Sequence, residues 1–292
     1  MSGEQLVKEA EGKLKSSFFG FVGPKYDEAK DLYQNAANQF KLSKDWGRAA
    51  ECFEKCAECS AKDGSTYGDQ ASFYEQAASC LKRISVADAV PRYDKASGLY
   101  SGAGRFGQAA KLLKQVAECL EEDKALDQAA EYYQRAADLF DMDEFSKSAH
   151  SACMLKLAEL QALDGKYMEA SQVFEKEGNK ALQNNLLSFG AKDLFLKAGL
   201  MLLVLGDSVT TKIGLDRYRG ADPRFSDSRE DKLLTTLMEA QEERDKERFE
   251  DACHEFDSMT KLNGWQTTML LKAKAHIEPS ASAQMGDALD LT

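Results

Sequence analysis

One pattern recurs along this chain at a nearly constant interval. A small residue is followed four positions on by an aromatic or large apolar one, then by small residues seven and eight positions on. It reads Ala29–Tyr33–Ala36–Ala37, Ala49–Phe53–Cys56–Ala57 and Gln70–Tyr74–Ala77–Ala78. It continues as Ala89–Tyr93–Ala96–Ser97, Ala109–Leu113–Val116–Ala117 and Ala129–Tyr133–Ala136–Ala137. A weak unit near Ala149 precedes a clearer one at Ala170–Phe174. Offsets of 0, 4, 7 and 8 lie on one face of an α-helix, and small residues there let two helices approach closely while the large one fills the gap. The interval, about 20 residues, is one helix plus its turn.

Turn signals fall between the units: Lys-Asp-Trp-Gly at 44–47, Lys-Asp-Gly-Ser at 62–65, Gly-Ala-Gly-Arg at 102–105 and Asp-Gly-Lys at 164–166. Short turns between helices make antiparallel hairpins, so the pattern predicts an all-α, tetratricopeptide-like sheet of antiparallel helix hairpins with a right-handed twist over residues 1–200. Prolines are few, with four in 292 residues, and Ala, Glu, Lys, Leu and Gln dominate over strand formers. After about residue 200 the repeat fades, and helical patterns continue at 228–248, 249–261 and 264–277. From Pro279 the sequence turns to Ser, Ala and Gly, which predicts a flexible acidic tail over 279–292.

A formal net charge of -11 gives no whole-chain basic footprint for nucleic acid. The N-terminus lacks the apolar core of a secretory signal, and Leu200–Leu205 is far too short to span a bilayer. Seven cysteines, an odd number without a secretion signal, are expected to be reduced thiols in the cytoplasm.

The chemical motifs are weak. Cys56-x-x-Cys59 has no second pair to complete a zinc site, and Cys59, Cys80 and Cys119 occupy one column of the repeat, where other units place Leu99 and Leu139. They read as small apolar core residues. His254-Glu255 has no second histidine at helical spacing, and Gly206–Lys212 lacks the second glycine and final hydroxyl of a phosphate loop. The expectation is a non-catalytic scaffold without metal or cofactor.

Basic residues recur at or near the turns: Lys44, Arg105, Lys111 and Lys156. Each alone reads as a solvated charge. Together, on an acidic chain, they form a candidate stripe for an acidic partner. Ser16–Lys25, SSFFGFVGPK, groups Phe18, Phe19, Phe21 and Val22 between Gly20, Gly23 and Pro24. It lies before the first repeat anchor and reads as a loop. It is either a hydrophobic cap on the first helix pair or, flanked by Lys13, Lys15 and Lys25, a contact for anionic lipid headgroups.

These stretches, in their order, resemble the soluble NSF attachment proteins nearly end to end. The resemblance is carried by SSFFGF, FKLSKDWGRAAECF (40–53), GAGRFGQAAK (102–111), ALDGKYMEAS (162–171), AKDLFLKAGL (191–200), RFSDSRE with DKLL (224–234), EFDSMTKLNGWQTTMLLKAK (255–274) and the terminal Asp-Leu-Thr. It implies an adaptor without an active site: a twisted repeat sheet, then a C-terminal helical bundle over 201–278. The adaptor grips the four-helix SNARE bundle left after membrane fusion, several copies per bundle, and recruits the hexameric ATPase NSF (the N-ethylmaleimide-sensitive factor) to pull it apart. On the resemblance, Lys44, Arg105, Lys111 and Lys156 face the SNARE bundle, while Ala152 stands where the family carries a basic residue. The ATPase-facing positions are Lys192, Arg229, Glu239, Glu242 and Glu243. Leu291, with Asp287 and Asp290, matches the terminal stimulating segment, and Thr292 departs from it. The loop Phe18, Phe19, Phe21, Val22 takes a weak, peripheral membrane contact. A monomer when free is expected.

Overall fold

The computed structural model describes residues 1–15 and 23–277. Among them are fourteen α-helices and no strand. The chain packs as two compact units, Met1–Met154 and Leu155 onward. The boundary read from the fading repeat, at 200/201, falls inside a helix, Ala191–Leu205.

The first unit contains α1 (Gly3–Leu14), α2 (Tyr26–Leu42), α3 (Trp46–Lys62), α4 (Tyr67–Leu81), α5 (Val86–Gly102), α6 (Phe106–Glu122) and α7 (Leu126–Asp141). Each packs against the next, as short turns require. The repeat residues form its interior. Ala29, Ala36, Ala37, Ala49, Phe53, Cys56, Ala77, Ala78, Ala96, Ala109, Ala129 and Ala136 are all buried. The aromatic column is closed by polar ties: the Tyr133 hydroxyl donates to Glu121 on α6 at 2.8 Å.

The hairpin turns repeat as faithfully as the helices. A residue with positive φ ends a helix at Lys44 (60°), Gly64 (85°), Gly104 (72°), Lys124 (64°) and Gly165 (87°). Four of these turns share a second feature, an amide bond back to the carbonyl five residues earlier: Asp45 to Phe40 (2.8 Å), Arg105 to Tyr100 (2.8 Å), Ala125 to Leu120 (2.9 Å) and Lys166 to Gln161 (2.9 Å). This closes the orphan carbonyls of the helix end in the manner of a Schellman cap. Glycine accepts the left-handed conformation without a Cβ clash, whereas Lys44 and Lys124 adopt it at a cost of about 1 kcal/mol. The turns at 82–85 and 123–125 carry no glycine and gave no signal in the sequence.

Helix α8 (Lys147–Leu163) spans the division between the units. The second unit continues through α9 (Tyr167–Leu182), a 3-10 turn at Ser188–Gly190, α10 (Ala191–Leu205), α11 (Ser208–Ala221), α12 (Arg229–Glu243), α13 (Lys246–Met259) and α14 (Gly264–Lys274). Its centre is α10, which packs on α9, α11, α12 and α14. Leu200, Met201, Leu202 and Leu203 are all buried, which accounts for the continuous apolar run there. The helical patterns read as 228–248 and 249–261 are divided earlier than expected: Arg244, at φ 56°, ends α12, and Asp245 caps α13 by accepting the Arg248 amide. Gly206–Lys212 is the joint between α10 and α11. Gly206 takes the left-handed C-terminal position (φ 73°), and Asp207 caps α11.

Candidate binding surfaces

Lys44 is exposed at the left-handed position of the α2–α3 turn. Arg105 is the residue before α6, and its guanidinium lies over Gly68 on α4, where a Cβ would stand 2.7 Å from Nη1. Lys111 is exposed one and a half turns into α6, rather than in the turn itself. It lies two residues past the buried anchor Ala109, on the far side of the helix from the core column. Helix alternation puts the α2–α3 and α5–α6 turns at opposite ends of the hairpins, about 25 Å apart along helices of this length. Lys44 and Arg105 therefore do not converge on a pocket. They mark two edges of the first unit, with Lys111 set inward from one of them, a spacing suited to a long partner crossing the helices.

Lys156 sits in the body of α8, not at a turn. It is half-buried and lies 3.6 Å from Glu159, which also binds Lys197 on α10 at 2.7 Å. Its charge is already shared within the second unit. Ala152 is exposed.

Of the residues expected to face the ATPase, Arg229 opens α12, and Glu239, Glu242 and Glu243 lie toward its other end. Arg229 lines a groove between α12 and α13 with Lys232, Leu233, Arg248, Phe256 and Met259. Arg248 reaches back across the Arg244 turn to bind both Glu239 and Glu243, the latter at 2.7 Å. Those two carboxylates hold its pKa above the usual range, Glu243 foremost. Glu242 is exposed and makes no ion pair among the described residues. Lys192, half-buried at the start of α10, adds to the field that helps keep Asp222 ionised. Arg248 was not singled out from the sequence. Its spacing from Glu239 and Glu243 means nothing until the chain reverses at Arg244.

Phe18, Phe19, Phe21 and Val22 lie outside the described residues, as do Asp287, Asp290 and Leu291. The described residues on either side of the former are tied together. The Lys25 amide donates to the Lys13 carbonyl at 3.1 Å, and the two lysine side chains share Glu28 at 2.5 Å each. Two of the three lysines read as flanking charge for lipid are thus engaged by one carboxylate.

The sequence stretches that carry the resemblance are largely scaffold. In RFSDSRE, Phe225 is wholly buried, Asp227 takes positive φ (62°), and Ser228 caps α12 by accepting the Asp231 amide. In LNGWQTT, Asn263 and Gln266 form a reciprocal capping box at the start of α14. The cysteines of the CxxC are buried, and burial pushes their pKa values up, Cys52 nearby to about 11. These are not thiolates poised for reaction. Among the described residues no group of three or more His, Cys, Asp or Glu is placed to hold a metal, and no helix is long and apolar enough to cross a membrane.

Stacked helix hairpins with dispersed charged surfaces define a helical-repeat binding protein. The chain matches the family model described as "Soluble NSF attachment protein, SNAP" over residues 1–278. It is 40% identical over 276 residues to the alpha-soluble NSF attachment protein of Vitis vinifera, covering 94% of each chain. The human protein of that name is 35% identical over 279 residues, again with 94% of each chain covered. The Saccharomyces cerevisiae protein is 33% identical over 286 residues, covering 94% of this chain and 96% of its own. The chain belongs to the soluble NSF attachment protein family.

Proposed function

We propose that this chain is the adaptor that couples assembled SNARE bundles to the hexameric ATPase NSF, so that ATP hydrolysis pulls the bundle apart after membrane fusion. The observation that carries the reading is family membership across nearly the whole chain. An attachment protein acts by binding, and it performs no chemistry of its own.

In this reading Lys44, Arg105 and Lys111 grip the acidic bundle through exposed charge, with Lys156 contributing from α8. Charge pairing tolerates varied SNARE sequences better than fitted apolar contacts do. Arg229, Lys192, Glu242 and the Arg248-bound pair Glu239 and Glu243 meet the ATPase, and Asp287, Asp290 and Leu291 stimulate it. Phe18, Phe19, Phe21 and Val22 touch the membrane weakly, which raises the effective concentration on membrane-anchored bundles. The chain works in the cytoplasm, peripherally on membranes, as a monomer that loads in several copies.

Purified bundle, ATPase and ATP should give disassembly only when this protein is added. Equal disassembly without it would overturn the proposal. Phe18→Ser with Phe19→Ser should spare disassembly of detergent-soluble bundles and slow that of bundles in liposomes. Equal rates in both settings would return the loop to a hydrophobic cap.

A further inference from the structure

The last turns of three helices meet where the described chain ends. Gln241, in the last turn of α12, donates through its side-chain amide to the Leu203 carbonyl of α10 at 3.1 Å and to the Ala273 carbonyl of α14 at 2.7 Å. Both acceptors lie in the last turn of their own helix, where main-chain carbonyls run out of helical partners. His276, two residues past α14, donates through Nε2 to the Val204 carbonyl at 2.8 Å. Its ring lies against Gly206, where a Cβ would stand 2.8 Å from the imidazole. Lys274 pairs with Glu250 of α13 at 2.5 Å, and Ile277 is buried. Residues 273–277 are thus clamped against α10 and α12, chiefly by the side chains of Gln241 and His276.

The clamp sits at a junction of two elements that the adaptor reading gives to the ATPase. Gln241 is half-buried, and the carboxylates Glu239, Glu242 and Glu243 flank it in sequence on the same helix. Fifteen residues follow Ile277, and Leu291 lies fourteen residues beyond it. A tethered segment acts at an effective concentration set by its distance along the chain from its anchor, falling roughly as the -3/2 power of that length. Freeing two turns of α14 would add about seven residues to the tether and lower that concentration about twofold.

We propose that Gln241 and His276 are positioning residues for ATPase stimulation. They fix the point from which the C-terminal segment leaves the second unit, beside Glu239, Glu242 and Glu243, and so set how strongly Leu291 stimulates an ATPase that is already recruited. The inference rests on the reading in which the end of α12 meets the ATPase and Leu291 stimulates it. Within that reading the clamp acts on stimulation and leaves recruitment alone.

The test uses the full-length chain with the SNARE bundle, the ATPase and ATP. Gln241→Met keeps the side-chain length and removes the donor, and His276→Ala removes a ring from an exposed position. The double variant should recruit the ATPase with an unchanged Kd and lower the stimulated hydrolysis rate about twofold. Its amide exchange should quicken at residues 273–277 and stay unchanged in α10 and the first turns of α12. A second variant leaves the clamp untouched: an insertion of about eight Gly and Ser residues after Ile277 lengthens the tether alike and should give the same twofold loss. It decides the matter should the double variant fail to fold. Full stimulation by the insertion variant, or by the double variant with exchange quickened at 273–277, would overturn the proposal. So would a loss of recruitment matching the loss of stimulation, which would make the clamp a structural part of the α12 surface. Failure of the unaltered protein to recruit or stimulate the ATPase would overturn the adaptor reading itself, and this inference with it.

Discussion

The indole nitrogen of Trp265 donates to the main-chain carbonyl of Glu159 at 3.0 Å, joining the first turn of α14 to α8. The same ring stands edge-on to Phe174 of α9 at 5.6 Å, and Lys197 of α10 lies over both rings while binding Glu159 at 2.7 Å. One residue of the LNGWQTT stretch therefore ties α14 to three other helices of the second unit. Trp265→Phe should keep the ring contact and lose the hydrogen bond, at about 1 kcal/mol. Trp265→Ala should cost about 3–5 kcal/mol. Urea unfolding followed by far-ultraviolet circular dichroism, which reports the helices of both units, measures both; equal losses would mean that the ring contributes nothing.

Lys44 combines a candidate contact charge with a strained backbone, and the two can be separated. Lys44→Gly removes the Cβ that resists a φ of 60° and should leave the chain as stable or more so, by up to about 1 kcal/mol. Lys44→Glu keeps the strain and reverses the charge. If the charge grips the SNARE bundle, both variants should bind it more weakly, Lys44→Glu the more so, and high salt should level them. Lys124→Gly serves as the control for backbone relief alone, since Lys124 occupies the same turn position at a φ of 64°. Bundle binding by Lys44→Gly equal to that of the unaltered protein would remove Lys44 from the contact surface.

How far the sequence foretold these features depends on whether the signal was local. The columns of small residues and aromatics lie in single helices, so Ala29, Tyr33, Ala36 and Ala37 could be read directly as one buried face. Turns at 44–47, 64, 104 and 165 were legible from Asp and Gly in or beside them, while the one closed by Lys124 used residues with no turn preference. Only the interval of about 20 residues could have placed Lys124 beside Lys44 in kind. Lys44, Arg105, Lys111 and Glu242 were legible as exposed charges, whereas Lys156 and Lys192 are half-buried and the partners of the site charges were not legible. Glu28 bridging Lys13 and Lys25, Arg248 holding Glu239 and Glu243, and Glu159 shared by Lys156 and Lys197 all depend on how the chain reverses or packs. The RFSDSRE stretch signalled kinship, and its chemistry proved to be that of a well-capped connection between α11 and α12.

Arg248 sets how much acidic charge the end of α12 presents. Glu242, exposed and without an ion pair among the described residues, should be the carboxylate most available to a basic ATPase surface. Glu242→Gln should weaken ATPase recruitment at low salt without moving the melting temperature, because exposed charges contribute little to stability. Arg248→Ala releases Glu239 and Glu243 and should strengthen recruitment severalfold at low salt, with the gain vanishing at high salt. Weaker recruitment by Arg248→Ala at low salt would show instead that the arginine, or the order it imposes, makes the contact.

Asp222 gives the fold a defined acid limb. Burial raises its pKa, but the Arg224 guanidinium at 2.9 Å and the Arg224 amide at 3.0 Å outweigh that, and the net shift is downward. A carboxylate depressed in the folded state stabilises it fully above the unfolded value of about 3.9, and that stabilisation is lost as pH falls through the lower folded value. Asp222→Asn should therefore be less stable than the unaltered protein at pH 7, by about 1–3 kcal/mol, since Arg224 loses its charged partner. The gap between the two should begin to narrow as the pH falls beneath about 4, where the unfolded chain takes up the proton, and close once the pH passes the lower folded value. Other depressed carboxylates, Glu28 and Asp63 among them, titrate in both proteins and cancel from the difference. Urea unfolding at pH 7 and at successively lower pH measures the gap. A gap that stays constant across that range would show that Asp222 acts through its shape and hydrogen bonds and not through its charge.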